Sequence, residues 1–189
     1  MWKSIQQIIN SIENMNYVFL RNAEKIYDRV DDNDDWDILC DNISDLVNEL
    51  RAIPLNNDKE CFNFYTIVDG KKLLLDIRCV GDGYFDESWE REMLQTRKKV
   101  DHHFVLDEEH QKYSLLYHCL VQKKNNSTLK YKEYILKQFG KYELDSNLKM
   151  LSVYLEYKKY SVKMPLDKGV YINSENIKRL EALMKWERK

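Results

Sequence analysis

The stretch CFNFYTIVDGKKLLLDIRCV, residues 61–80, holds two apolar runs rich in aromatic and β-branched side chains, 61–68 and 72–80, divided by Asp69-Gly70. A tight primed turn needs positive φ at its centre, and Asp-Gly supplies it, so the stretch predicts a β-hairpin. One acid, Asp76, interrupts the second run between Leu75 and Ile77. An isolated carboxylate in an apolar strand is costly, or neutralises itself, unless a cation or hydrogen-bond donors answer it. Arg78 lies two residues on and shares the face of Asp76, which makes an ion pair the ordinary answer. The functional answer is that Asp76 meets other carboxylates around a metal.

Those other carboxylates stand upstream. Residues 31–41, DDNDDWDILCD, carry six acids in eleven positions and close on a strand candidate at 36–40. Asp31, Asp32 and Asp34 read as a solvated acidic approach. On a strand Asp35 and Asp37 share one face while Trp36 and Ile38 share the other, so a core can be built without burying either acid. If Asp35, Asp37 and Asp76 converge from adjacent strands, their mutual repulsion favours one or two hard divalent cations, Mg²⁺ or Mn²⁺. Such a centre suits phosphoryl transfer, because metals neutralise phosphate and stabilise a pyrophosphate leaving group. None of the three acids is required for packing, so their removal is expected to abolish turnover and leave the fold intact.

Around these strands the rest of the chain reads as follows. Trp2, Ile5, Ile8, Ile9 and Ile12 recur at helical spacing, and Tyr17-Val18-Phe19-Leu20 is a short strand. A helix capped by Asp41 or Asn42 carries Ile43, Leu46, Val47 and Leu50 and stops before Pro54. Helices are predicted over 88–100, 108–122, 129–139 and 144–162, and a last one from Asn173 or Ser174 to about Trp186. The fold class is therefore α+β: a small mixed β-sheet flanked by helices over residues 1–100, then a helical C-terminal lobe over 101–189.

Composition sets the outer limits. The 189 residues are 43% hydrophobic and 33% charged, with five Gly and two Pro, as in an ordinary globular protein with one main core. The N-terminal segment lacks the apolar region of a signal peptide, and no apolar run approaches the roughly 18 residues a membrane helix needs, so a cytoplasmic setting is expected. Cys40, Cys61, Cys79 and Cys119 lack CxxC spacing and read as reduced thiols. The net charge of −2 hides a division: residues 1–119 hold 24 acids and 14 bases, and residues 120–189 the remaining 8 and 16. One part attracts cations and the other anions. The absence of a long basic stripe argues against a nucleic-acid acceptor.

The order of a short strand, a loop, D-x-D in a second strand and a lone Asp in a later one resembles the nucleotidyltransferase superfamily, whose minimal domain includes DNA polymerase β. In that family the first strand ends in Gly-Ser or a similar small pair. Here Leu20 is followed by Arg21-Asn22, and twelve residues then intervene before Asp35-Trp36-Asp37. The spacing fits and the small pair does not. In its place Arg21 offers a guanidinium fork suited to phosphate. A narrower likeness, carried by FLRN, DDWDILCD, LLLDIRCVGDGYFDESWEREML and SLLYHCLVQK, spans residues 17–124, with a fainter echo in MPLDKGVYIN. It is similar to nucleotidyltransferase-like proteins of surface-polysaccharide gene clusters, relatives of the phosphocholine and ribitol-phosphate transferases.

The resemblance implies metal-dependent transfer of a nucleotidyl group from a nucleotide donor to a sugar-type or other small acceptor. The alternatives are phosphodiester formation from a CDP-alcohol donor, and a non-catalytic binding protein that kept the fold. Asp35, Asp37 and Asp76 would bind the metal, with Asp76 the base on the acceptor hydroxyl. Arg21, Asn22, Arg78, His118 and Lys123 would line the donor site, in a cleft between an acidic sheet edge and a basic helical face. Histidines 102, 103 and 110 match no standard ligand spacing. Tyr131, Tyr134, Tyr142, Tyr154, Tyr157 and Tyr160 interleave with lysines and read as amphipathic core and rim rather than a base-stacking platform.

Overall fold

The computed structural model describes residues 1–28, 35–56, 62–124, 129–140 and 142–186, with the side chains of 129–131 and 185–186 left aside. Asp31, Asp32, Asp34 and Cys61 lie outside the described residues. The chain forms an α+β fold that divides into two compact units, Met1–Asp107 and Glu108–Lys189.

The first unit is built on a seven-stranded mixed sheet. In chain order its elements are α1 (Ile5–Ile12), β1 (Tyr17–Phe19), a 3-10 helix (Ala23–Asp28), β2 (Trp36–Cys40), α2 (Ile43–Glu49), β3 (Ile53–Pro54), β4 (Asn63–Val68), β5 (Lys71–Cys79), α3 (Glu87–Thr96), β6 (Lys98–Val100) and β7 (His103–Val105). The strands lie in the order β3-β4-β5-β2-β1-β7-β6, which puts β2 at the centre. The hairpin turn takes the expected form, with φ of 48° at Asp69 and 77° at Gly70, and joins β4 to β5 antiparallel. Next to it β5 runs parallel to β2, in a register that sets Asp37 level with Asp76 and Cys40 level with Cys79. On the other flank β1 is antiparallel to β2.

Side-chain chemistry fixes these elements locally. Ser4 caps α1, accepting the Gln7 N–H, and Ile5, Ile8, Ile9 and Ile12 bury its apolar face. Trp2, expected within that helix, instead forms a parallel bridge with Val68, and its indole donates to the Leu50 carbonyl at 3.0 Å. Asn42 is the cap of α2. The core gathers Tyr17, Phe19, Trp36 and Ile38 with the α1 isoleucines and Leu73, Leu75 and Ile77.

Residues 97–105 depart from expectation. The helix predicted over 88–100 stops at Thr96, Arg97 is extended, and 98–105 fold into a second hairpin about Asp101, whose φ is 52°. Phe19 on β1 would otherwise leave an open sheet edge, and β7 closes it by pairing in parallel at Val105. Phe104 meets Tyr17 edge to face at 5.6 Å. The hairpin therefore belongs to the first unit, which ends at Asp107 rather than at residue 100.

The second unit holds α4 (Glu108–Val121), α5 (Leu129–Phe139), α6 (Leu144–Lys158) and α7 (Ser174–Trp186). Helix α6 ends earlier than 162 because Lys159 turns left-handed, with φ of 62°, and the Tyr160 N–H returns to the Leu155 carbonyl at 2.8 Å. Asn173 is the cap of α7: its side chain accepts the Asn176 N–H, and its backbone N–H donates to the Val121 carbonyl. Asn176 in turn donates to the Leu120 carbonyl at 2.8 Å. The start of α7 thus satisfies carbonyls that the end of α4 cannot satisfy within itself. Among the described residues no helix is long and apolar enough to cross a membrane.

Candidate functional site

Parallel pairing of β2 and β5 carries the site. In-register neighbours on adjacent strands project to the same side, so Asp37 and Asp76 stand next to each other, and Asp35, the residue before β2, joins them. Each of the three carboxylates brings one oxygen within 4.8 Å of those of the other two. The three carboxylates would together hold one divalent cation. The donor set is all oxygen, as a hard cation requires.

Two arginines share this cluster. Arg21 grips both oxygens of Asp37, Nη2 at Oδ1 and Nε at Oδ2, the latter at 3.1 Å. Arg78 donates from Nη2 to Oδ2 of Asp76 at 2.9 Å. The same nitrogen stands 2.7 Å from Oδ1 without the geometry of a hydrogen bond, and that buried oxygen has no hydrogen-bond partner. Asp76 is thus held in an ion pair, and the residues present suit the implied metal by their all-carboxylate donor set. Burial raises the Asp76 carboxyl to about 6, Arg78 beside it opposes the rise, and the Asp37 charge adds to it.

Tyr84 joins the two arginines. Its hydroxyl accepts from Nη1 of Arg21 at 3.2 Å, and its ring lies 4.5 Å from the Arg78 guanidinium carbon and 5.9 Å from that of Arg21. Burial pushes the phenol up to about 12, with Arg21 pulling against it. The loop that delivers Tyr84, residues 80–86, is tied down from within. Gly81 and Gly83 take φ of 89° and 78°. Asp82 accepts the N–H groups of Cys79 and Tyr84, at 3.1 and 2.7 Å. Glu90, fully buried on α3, accepts those of Gly81 and Phe85, at 2.7 and 3.0 Å.

Several expectations change on this geometry. Asp37 is not left on an open face: it is 7% exposed, because β2 is the central strand and Arg21 covers its carboxylate. Asp37 and Asp76 therefore lie on inner strands, β2 and β5, not on a sheet edge. Nor are Asp37 and Asp76 dispensable to the fold, since they compensate arginines whose side chains are 9% and 5% exposed. The ion pair anticipated between Asp76 and Arg78 is present. Asn22 adopts φ of 53°, so the turn that a small pair would make is made by an asparagine, which tolerates the left-handed region.

The structure thus assembles Asp35, Asp37, Asp76, Arg21 and Arg78 within the first unit. His118 and Lys123 belong to the second. His118 is not on an exposed helix face: it is 4% exposed, with Nδ1 3.1 Å from Oε1 of Gln122. Among the lysine-interleaved tyrosines, Tyr154 and Tyr160 are buried and Tyr157 is 81% exposed. Tyr84 and Glu90 escape a reading of the sequence alone. Gly-Asp-Gly announces a turn before Tyr84 but not where the turn leads. No protein-family model matches the chain, and neither a curated protein nor a solved structure matches it.

Proposed function

We propose that the chain is a metal-dependent nucleotidyltransferase of the polymerase-β-like superfamily, moving a nucleoside monophosphate from a nucleoside triphosphate to a sugar-type acceptor. The observation that carries this reading is the meeting of Asp35, Asp37 and Asp76 with two guanidiniums at the same place. Asp35, Asp37 and Asp76 hold Mg²⁺ or Mn²⁺, and Arg21 and Arg78 bind phosphate oxygens. The bound cation would neutralise phosphate charge and stabilise the leaving pyrophosphate. The acceptor oxygen bonds to the α-phosphorus, the α–β bridging bond breaks, and Asp76 takes the hydroxyl proton.

Asp35→Asn is the sharpest variant, because it leaves the Arg21–Asp37 and Arg78–Asp76 pairs in place. Wild type should gain melting temperature from a triphosphate only with Mg²⁺ present, and should release pyrophosphate when a suitable acceptor is added. Asp35→Asn should lose both responses while keeping a cooperative melt. A wild-type chain that no triphosphate stabilises with Mg²⁺, and that releases no pyrophosphate, would overturn the reading. The Arg21–Asp37 pair favours one other reading, a non-catalytic binding protein, because it places a cation of the chain's own on a would-be metal ligand. That reading expects metal-independent ligand binding.

A further inference from the structure

The opposite face of the same two strands carries a pair of thiols. Cys40 and Cys79 are in-register partners on β2 and β5, each an odd number of residues beyond the carboxylate of its strand, so they project away from Asp37 and Asp76. Neighbouring strands lie about 4.8 Å apart, inside the Cα separation of about 4.4–6.8 Å that a disulfide spans. Both sulfurs also lean toward the other strand. Sγ of Cys40 donates across to the Arg78 carbonyl at 3.4 Å, and Sγ of Cys79 donates to the Asp41 carbonyl, just past the end of β2, at 3.5 Å. The two thiols share a hydrogen bond, and neither is in a disulfide. Their surroundings differ. Cys40 is 2% exposed and packs in the core, whereas Cys79 is partly exposed. The hydrogen bond from Cys40 lowers the Cys79 thiol below its ordinary value against the cost of burial, helped by the Ile43 N–H and opposed by the charges of Asp82 and Asp41.

We infer that Cys79 and Cys40 form a peroxide-responsive dithiol, with Cys79 the attacking sulfur and Cys40 the resolving one, a modification site separate from the carboxylate cluster. Sγ of Cys79, as thiolate, attacks one oxygen of hydrogen peroxide. The O–O bond breaks, hydroxide leaves and takes up the proton that the thiol gave, and Cys79 becomes a sulfenic acid. Sγ of Cys40 then attacks Sγ of Cys79. The S–O bond breaks, water departs with the Cys40 proton, and the disulfide closes. Two thiols are oxidised and one peroxide is reduced to two waters. Burial suits Cys40 to its part, because it is kept from peroxide while standing one strand away from the sulfur it must reach. The new bond ties β2 to β5 where the loop carrying Tyr84 begins, at a residue whose N–H Asp82 already holds. None of this depends on a bound metal.

Hydrogen peroxide on the full, folded chain tests this, with the remaining thiols alkylated after the reaction and the peptides mapped by mass. Wild type should give a Cys40–Cys79 linked peptide pair lacking two hydrogen atoms, and dithiothreitol should restore both thiols. Cys79 should be oxidised faster than the buried Cys119 by roughly tenfold or more. Cys40→Ala should stop at the Cys79 sulfenic acid, which dimedone captures. In Cys79→Ser, Cys40 should stay reduced. Wild-type Cys79 that stays reduced while the fold persists, or that pairs with Cys61 or Cys119 instead, would overturn the inference, and that map needs no variant to fold. Oxidation of Cys40 at the wild-type rate in a folded Cys79→Ser chain would also overturn it, since Cys79 would then not be the attacking sulfur.

Discussion

Asp37 is at once the proposed cation ligand and the counter-charge of a buried arginine, and the second duty has an energetic signature. Replacing it with Asn strands the Arg21 guanidinium away from water, and loss of one partner of such a pair costs about 3–5 kcal/mol. Adding Arg21→Gln removes the stranded charge, so Asp37→Asn/Arg21→Gln should recover most of that loss. Urea denaturation of the singles and the double gives the coupling directly. Strictly additive losses would mean that Arg21 is compensated by other groups. The Asp76–Arg78 pair was legible in the sequence because two residues on one strand share a face. The Arg21–Asp37 pair was not. It joins a strand end to a strand across a segment whose path no periodicity encodes.

The turn after β1 illustrates how an element can keep its geometry while changing its residues. Asn22 stands left-handed and its carbonyl accepts the Lys25 N–H at 3.0 Å, which starts the 3-10 helix that seats Trp36, whose indole donates to Ile26. Asn22→Gly should change stability by no more than about 1 kcal/mol. Asn22→Val forces a β-branched residue into that region and should lower stability by about 1–2 kcal/mol, read from chemical melts. Equal melts for the two would show that the turn relaxes to another conformation. Elements with a strong local signal were legible: the Asp69–Gly70 hairpin, the isoleucine face of α1, the Asn42 cap. The β6–β7 hairpin was not, because Lys98, Lys99 and His103 carry little strand preference and the pairing exists only because β1 offers an open edge.

For the molecule as a whole, buried acids set the response of stability to pH. Burial raises Glu90 from 4.5 to about 8, against the pull of the Gly81 and Phe85 N–H groups, and raises Asp76 from 3.8 to about 6. Between the unfolded and folded values of each group the native chain holds more protons than the unfolded one. Stability therefore falls as pH rises through 4.5 to 8 for Glu90 and through 3.8 to 6 for Asp76. A whole proton difference corresponds to about 1.4 kcal/mol per pH unit. Urea midpoints between pH 6 and 8 should decline in wild type, and the decline should largely vanish in Glu90→Gln. A flat wild-type profile there would place the Glu90 titration elsewhere.

The non-sequential sheet order also governs how this chain comes into being. The central pair, β1 and β2, is complete once residue 40 has been made, yet the strands that flank it are β5 and β7, which end at Cys79 and Val105. A nascent chain therefore carries its innermost strands with both long edges open, the arrangement most prone to pairing with a neighbouring chain. The bond from Arg21 to Asp37 lies wholly within this early segment, so the carboxylate can be neutralised before its parallel partner has been synthesised.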